Sequence, residues 1–299
     1  VSVHLASDRF GKSGVRLATV ERDGDRHVFS DLDIDVRLEG DFEAVHTRGD
    51  NSPVLTTDTM RGTCYALARH YGARSPATLG SRIAERLLEA CPAASHARVD
   101  LARLPWERLA VDGAPHTHTF RPGPGGRQLT TIRQPRGQAP TVSAGADGVR
   151  VLKTTGSAFD SYIKDEYTTL PETRDRIMAT TVAASWGYVD PLVADHAAPE
   201  HERLLDEVPA TFCARFATHD ESESVQHTLY EMGEAALAAH DELTWISFRM
   251  PNEHHILADL EPYGLDNPNH VFVVTDRPYG VIEGTIARDG PSAARAEPA

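Results

Sequence analysis

The residues with the most chemistry to offer share one stretch, Leu152 to Arg176, reading LKTTGSAFDSYIKDEYTTLPETRDR. Phe159, Tyr162 and Tyr167 are interleaved there with hydroxyls and charges, and no helical or strand period runs through them. An irregular segment of this length within a compact chain is more often functional than decorative. Elsewhere the sequence carries no Walker loop, dinucleotide fingerprint, nucleophile elbow or His-Glu-x-x-His motif. His116-Thr117-His118 puts two imidazoles on one face of a strand, with Asp112 as the closest carboxylate. Zinc needs three or four ligands, so the pair reads either as an incomplete metal site or as a solvated or interface pair. Cys64, Cys91 and Cys213 are too scattered for a disulfide framework or a metal knuckle and read as reduced thiols.

The chain has 299 residues with 30 Lys and Arg against 44 Asp and Glu, a formal charge of −14. That balance excludes a nucleic-acid binder that neutralises phosphates with a basic surface. At 40% hydrophobic and 25% charged residues, the chain has a globular composition, and its length suggests two domains. The longest purely apolar run, Val271 to Val274, is too short to cross a bilayer, and the first residues lack the apolar core of a signal peptide. The expectation is a soluble, cytoplasmic protein without a membrane partner. The final residues do not spell the Ser-Lys-Leu peroxisomal address, which points to a bacterial-type setting.

Regular elements must hold the irregular stretch in place. Leu32, Ile34, Val36 and Leu38 alternate with Asp31, Asp33, Asp35 and Arg37, the pattern of a strand with one dry face. Val15 to Val20 forms a second strand, and Asp23-Gly24 marks the hairpin turn between them. A helix is expected from about Thr59 to His70, and another from Pro76, with Ser75 as its cap and Leu79, Ile83 and Leu87 on its apolar face. Strands near Ala97–Leu101 and Thr117–Phe120, then one after Gly123-Pro124-Gly125-Gly126, complete a ββααββ order.

The second half repeats that order. Strands are expected near 149–155 and 176–188, helices over 199–218 and around Val225 to Ala236, and strands over 244–250 and 271–275. Thr63-Cys64-Tyr65 of the first helix can be laid on Thr228-Leu229-Tyr230, a faint sign of duplication. The Pro- and Gly-rich run from Pro135 to Gly148 reads as the boundary.

The stretch Leu152 to Arg176 resembles the signature region of the urate oxidase (uricase) family. Phe10-Gly11-Lys12, Thr56-Thr57-Asp58-Thr59, Ser224-Val225-Gln226, Pro251-Asn252-Glu253-His254 and Arg277-Pro278-Tyr279-Gly280 with Gly284-Thr285 follow in the order that family requires. The resemblance spans about residues 10 to 286. It implies an α+β fold of two tandem tunnelling-fold domains, 10–137 and 138–286, with antiparallel sheets carrying helices on one face and a flexible tail over 287–299. It further implies a homotetramer that completes a barrel and builds its active sites at subunit interfaces. The implied reaction converts urate, O2 and water to 5-hydroxyisourate and H2O2 with no metal or organic cofactor. Two other readings stay open: a zinc-dependent tunnelling-fold enzyme acting on purines or pterins, and a non-enzymatic purine-binding protein.

Carried over residue by residue, the resemblance assigns Lys12, Thr57 and His254 to a proton relay. It assigns Arg176 and Gln226 to a urate clamp and Phe159 to a stacking platform. The main-chain N–H groups of Thr57 and Asp58 would receive purine oxygens, Val225 would pack beside the ring, and Asn252 would face the O2 or water site. The physics suits these roles. A guanidinium fork donates two parallel hydrogen bonds to a planar anion, which an ammonium cannot do. Gln226 offers both donors and an acceptor, and an aromatic ring stacks on a purine face. A lysine serves as a base once desolvation or a neighbouring cation lowers its pKa.

Each residue also has a plainer reading. Arg176 can be a surface ion pair with Asp175, Phe159 a core aromatic, Gln226 an exposed helix residue and Lys12 a solvated charge. Thr57 can be a helix cap, and His255 competes with His254. Urate that has lost a second proton is electron-rich enough to reduce O2 itself. Chelator-treated, metal-free protein is therefore expected to oxidise urate at an unchanged rate, followed as urate loss and H2O2 release; activity restored only by a metal or flavin would contradict this.

Overall fold

The computed structural model of the chain describes residues 3–189 and 198–289. The expected tail lies, from residue 290 onward, outside the described residues. In the N-terminal half, β1 (Phe10–Asp23) and β2 (Arg26–Gly40) form an antiparallel hairpin running from the Asp23 and Arg26 pair to the Phe10 and Leu38 pair. Its two-residue loop has Gly24 at a φ of 55°, the left-handed value that such a turn requires of its first residue. The alternation in β2 is realised: Leu32, Ile34, Val36 and Leu38 are fully buried, while Arg37 on the other face bonds Asp35 and Asp100.

Three helices follow: α1 (Glu43–Arg48), which periodicity did not reveal because no residue of it is buried, α2 (Thr57–Tyr71) and α3 (Pro76–Ala90). As expected, Ser75 caps α3, its hydroxyl accepting from the Thr78 N–H, and Pro76 opens it. The apolar face of α3 lies on β3 (Ala94–Leu104) and β6 (Arg127–Pro135). The approach is close at Gly80, where a Cβ would meet Ile132 at 2.7 Å and Leu101 at 2.8 Å. The sheet runs β1-β2-β3-β6. The strand expected at Thr117–Phe120 instead belongs to a separate hairpin of β4 (Trp106–Val111) and β5 (Ala114–Pro122), inserted between β3 and β6.

The run expected as a Pro- and Gly-rich boundary is largely strand, because β7 spans Thr141–Lys153 with Ala144 and Ala146 buried. The division between the two compact units does fall inside that run, after Gly145, but the chain crosses it as strand because small residues suit a buried strand. After β7 come β8 (Met178–Tyr188), α4 (Ala198–Thr218), α5 (Val225–Ala239), β9 (Leu243–Leu257) and β10 (Phe272–Ala287), in the strand order β7-β8-β9-β10. By compactness the chain divides into two units. The first runs to Gly145 and includes the start of α4 up to Leu205; the second takes Ala146–Val189 and residues from Asp206. Each is α+β and follows a ββααββ plan, to which the first unit adds the short α1 and the β4–β5 hairpin, and α5 lies on β9 and β10 as α3 lies on β3 and β6.

The duplication shows most clearly in how these helices end. Arg136, the first residue after β6, donates to the carbonyls of Leu88, Cys91 and Ala94; Arg288, the first after β10, donates to those of Leu237, His240 and Leu243. Both helices have 15 residues and a serine cap, Ser75 and Ser224. The partner of α5 in the first unit is therefore α3, and the overlay of Thr63-Cys64-Tyr65 on Thr228-Leu229-Tyr230 matched the wrong helix. Each arginine satisfies carbonyls that a helix end leaves without internal partners. Arg136→Ala and Arg288→Ala should each lower stability by about 2 kcal/mol, since charge-assisted bonds to part-buried carbonyls are lost. Arg86→Ala, which removes an exposed ion pair to Glu89, should stay within about 0.5 kcal/mol when unfolding midpoints are compared.

Candidate active site

Residues 154–177 contain no helix or named strand, so their main chain is held by a few specific bonds. Phe159 and Thr173 exchange N–H to carbonyl bonds at 2.7 and 3.1 Å, and the Arg176 N–H donates to the Ser157 carbonyl at 2.9 Å. A second set ties this segment to residues just before α5. The Ala158 N–H donates to the Ser222 carbonyl at 2.7 Å, and the Ser222 N–H donates to the Gly156 carbonyl at 3.1 Å. Gly156 has a φ of 73°, and a Cβ on it would lie 2.6 Å from the Asp220 carbonyl oxygen, so only glycine fits.

Phe159, Arg176, Asn252 and His254 come together in the lining of one cavity of about 760 Å³ in the second unit. The Arg176 guanidinium carbon sits 5.1 Å from the centre of the Phe159 ring. Its Nε is buried and has no hydrogen-bond partner among the described residues. Burial lowers the guanidinium pKa from its ordinary value, though arginine stays charged throughout the physiological range. Among the described residues Arg176 makes no ion pair with Asp175, whose Oδ1 accepts from the Thr155 hydroxyl at 2.8 Å and the Gly156 N–H at 3.1 Å. Phe159 is half-buried, not a core residue, and Tyr162 stacks on it at 4.9 Å with 17° between the rings. Tyr167 is exposed and lies outside the lining of this cavity.

Strand β9 supplies the other wall. Asn252 pairs with Thr180 on one side and Gly280 on the other, while His254 pairs with Thr275. Two residues apart on a strand, Asn252 and His254 share a face, and Glu253 and His255 take the opposite one. His255 also borders the cavity, with its Nδ1 3.4 Å from the Glu253 carbonyl oxygen.

Val225 and Gln226 are the first two residues of α5, behind the Ser224 cap whose hydroxyl accepts from the His227 N–H at 3.1 Å. Val225 is buried and Gln226 exposed; neither lines the cavity. Lys12, Thr57 and Asp58 belong to the first unit and are also outside its lining. Lys12 is half-buried on β1, opposite Val36, where the register with β2 becomes irregular. The cap of α2 is Thr56, whose hydroxyl accepts from the Thr59 N–H at 3.1 Å, so Thr57 is not the cap. The N–H groups of Thr57 and Asp58 occupy the first two helical positions, which have no acceptor within the helix. The Asp58 carboxylate pairs with Arg61 at 2.5 Å.

His116 and His118 lie 4.7 Å apart in edge-to-face contact, with His27 5.6 Å from His118. Among the described residues, no group of three or more His, Cys, Asp and Glu side chains is placed to hold a metal ion. The cysteines are all free, and burial pushes the Cys64 thiol up to about 12, which leaves it unreactive at neutral pH. Sequence reading missed Ser222 and Thr228, both buried behind the site; the only signal was a Ser-x-Ser pair with a threonine four residues beyond the cap.

The family model described as Uricase matches residues 8–133 and 142–283. A uricase from Arthrobacter globiformis is 39% identical over 289 residues, covering 96% of this chain and 91% of that protein. A uricase from Oryctolagus cuniculus is 32% identical over 286 residues, covering 96% of this chain and 95% of its own. The crystal structure of the uricase from Arthrobacter globiformis superposes with a TM-score of 0.87 at 37% identity, covering 99% of this chain and 100% of that one.

Proposed function

Because the chain belongs to the uricase family and is an oxidoreductase acting on urate, we propose that the cavity of the second unit, between Phe159, Arg176, Asn252 and His254, is where the purine is bound. The reaction is urate + O2 + H2O → 5-hydroxyisourate + H2O2. The observation that carries the assignment is the Arg176 guanidinium, held beside an aromatic ring with a buried and unpartnered Nε. A planar urate anion supplies the acceptors such a fork lacks, and Phe159 supplies a face. Gln226 completes the clamp along the purine edge, Val225 packs beside the ring, and Asn252 faces the O2 or water position.

Lys12, Thr57 and His254 move the protons, and the N–H groups of Thr57 and Asp58 receive purine oxygens at a helix start that favours anions. Urate gives its electrons to O2 directly, so this reading needs no metal or organic cofactor. The partners are urate, O2 and further copies of this chain. A homotetramer with sites at subunit interfaces is supported by β1 and β10 ending their sheets as unpaired edges and by Val273, Val274 and Val281 standing exposed on β10. Assembly would complete the barrel. The proposed domains are 10–137 and 138–286, and the proposed setting is a bacterial cytoplasm, in keeping with the relative from Arthrobacter globiformis.

Arg176→Lys keeps the charge but loses two coplanar donors, and is expected to weaken binding by about 2 to 3 kcal/mol, roughly 30- to 150-fold. Anaerobic urate titration, with a folded tetramer confirmed by light scattering, measures this; unchanged affinity would remove Arg176 from the clamp. Lys12→Met and Thr57→Ala should each depress turnover more than binding, and the double variant should lose little beyond the worse single one, because members of one relay act as a unit.

A further inference from the structure

Behind the cavity lies a hydrogen-bond chain that the assigned roles do not use. Ser222 and Thr228 are 1% and 0% exposed, so bulk water does not compete for either hydroxyl. The Ser222 hydroxyl donates to the Ser224 carbonyl at 3.0 Å and stands 2.6 Å from the Thr228 hydroxyl, which is 3.3 Å from His219 Nδ1. Proton counting orders the chain. A carbonyl only accepts, so the single Ser222 proton is committed to Ser224; Thr228 must then donate to Ser222, and His219 must donate to Thr228 through Nδ1.

Ser222 also carries main-chain bonds in the other direction. Its N–H and carbonyl hold Gly156 and Ala158, next to Phe159 and to the Ser157 carbonyl that anchors the Arg176 N–H. Ser224 caps the helix that opens with Val225 and Gln226. One small buried residue therefore couples the segment bearing Phe159 and Arg176 to the helix start bearing Gln226.

We infer that Ser222 and Thr228, with His219 behind them, are positioning residues that keep the Gln226 edge contact in register with the Phe159 face. The inference rests on the clamp reading above. Neither hydroxyl touches substrate; both act through the two segments they join. Removing the link loosens ground-state binding more than the chemical step, so KM should rise with kcat nearly unchanged.

The test uses the full-length protein in steady-state urate oxidation. Thr228→Val keeps the side-chain shape and removes the hydroxyl; Ser222→Ala keeps every main-chain bond and serves if the first variant does not fold. Each is expected to raise KM about 5- to 20-fold with kcat within about 3-fold, as loss of a buried hydrogen bond to a binding element would. Thr228→Ser should restore KM to within about 2-fold, and in a Gln226→Ala background Thr228→Val should add less than about 2-fold. An unchanged KM in folded Thr228→Val or Ser222→Ala, with only stability or yield reduced, overturns the inference while leaving the clamp intact. An unchanged KM in Gln226→Ala alone instead overturns the clamp reading and the inference with it.

Discussion

A flat purine has to be met on its face and along its edge at once, and here the residues proposed for those contacts come from segments distant in sequence. The link between them is a pair of main-chain hydrogen bonds, the Ser222 N–H donating to the Gly156 carbonyl and the Ala158 N–H donating to the Ser222 carbonyl. The Phe159 side has no regular ladder of its own, so this contact ties the geometry of Phe159 and Arg176 to the capped start of α5. It also explains the glycine at 156, where a left-handed φ and a carbonyl 2.6 Å from any Cβ leave room for no side chain.

Electrostatics follows the same local logic. With a formal charge of −14, the chain as a whole repels an anion, but exposed charges are screened over about 8 Å at physiological salt. What counts is the immediate surroundings of Arg176. Its sequence neighbour Asp175 accepts from Thr155 and Gly156 and borders the same cavity, as do Glu172 and Glu253, so the guanidinium is the cation of a site that also holds carboxylates. Burial then makes the unpartnered Nε costly to leave unsatisfied, which favours an anionic, planar acceptor.

The scaffold reaches this arrangement by using one plan twice. In each unit a 15-residue helix starts at a serine cap, lies on two strands and ends under an arginine that returns from the last strand. Among the described residues β1 and β10 each have a strand neighbour on one side only, the feature from which the proposed assembly is argued.

Local pattern was enough for much of this. The alternation in β2, the Asp23-Gly24 turn, the Ser75-Pro76 helix start and the two-fold ββααββ order are written in neighbouring residues, because burial of one face and turn chemistry act at short range. The segment around Phe159 announced itself by lacking any period, and the spaced motifs pointed to the family. What the linear order could not carry was partnership. That Asp175 bonds Thr155 and Gly156 and not Arg176, that Thr56 and not Thr57 caps α2, and that α5 corresponds to α3 are decided by which groups meet in space. The same holds for β7, which carries the chain through the expected boundary as a strand, and for Ser222 and Thr228. Periodicity records whether a side chain is wet or dry, whereas a hydrogen bond between distant segments leaves no repeating trace, so its partners emerge only when the chain is folded.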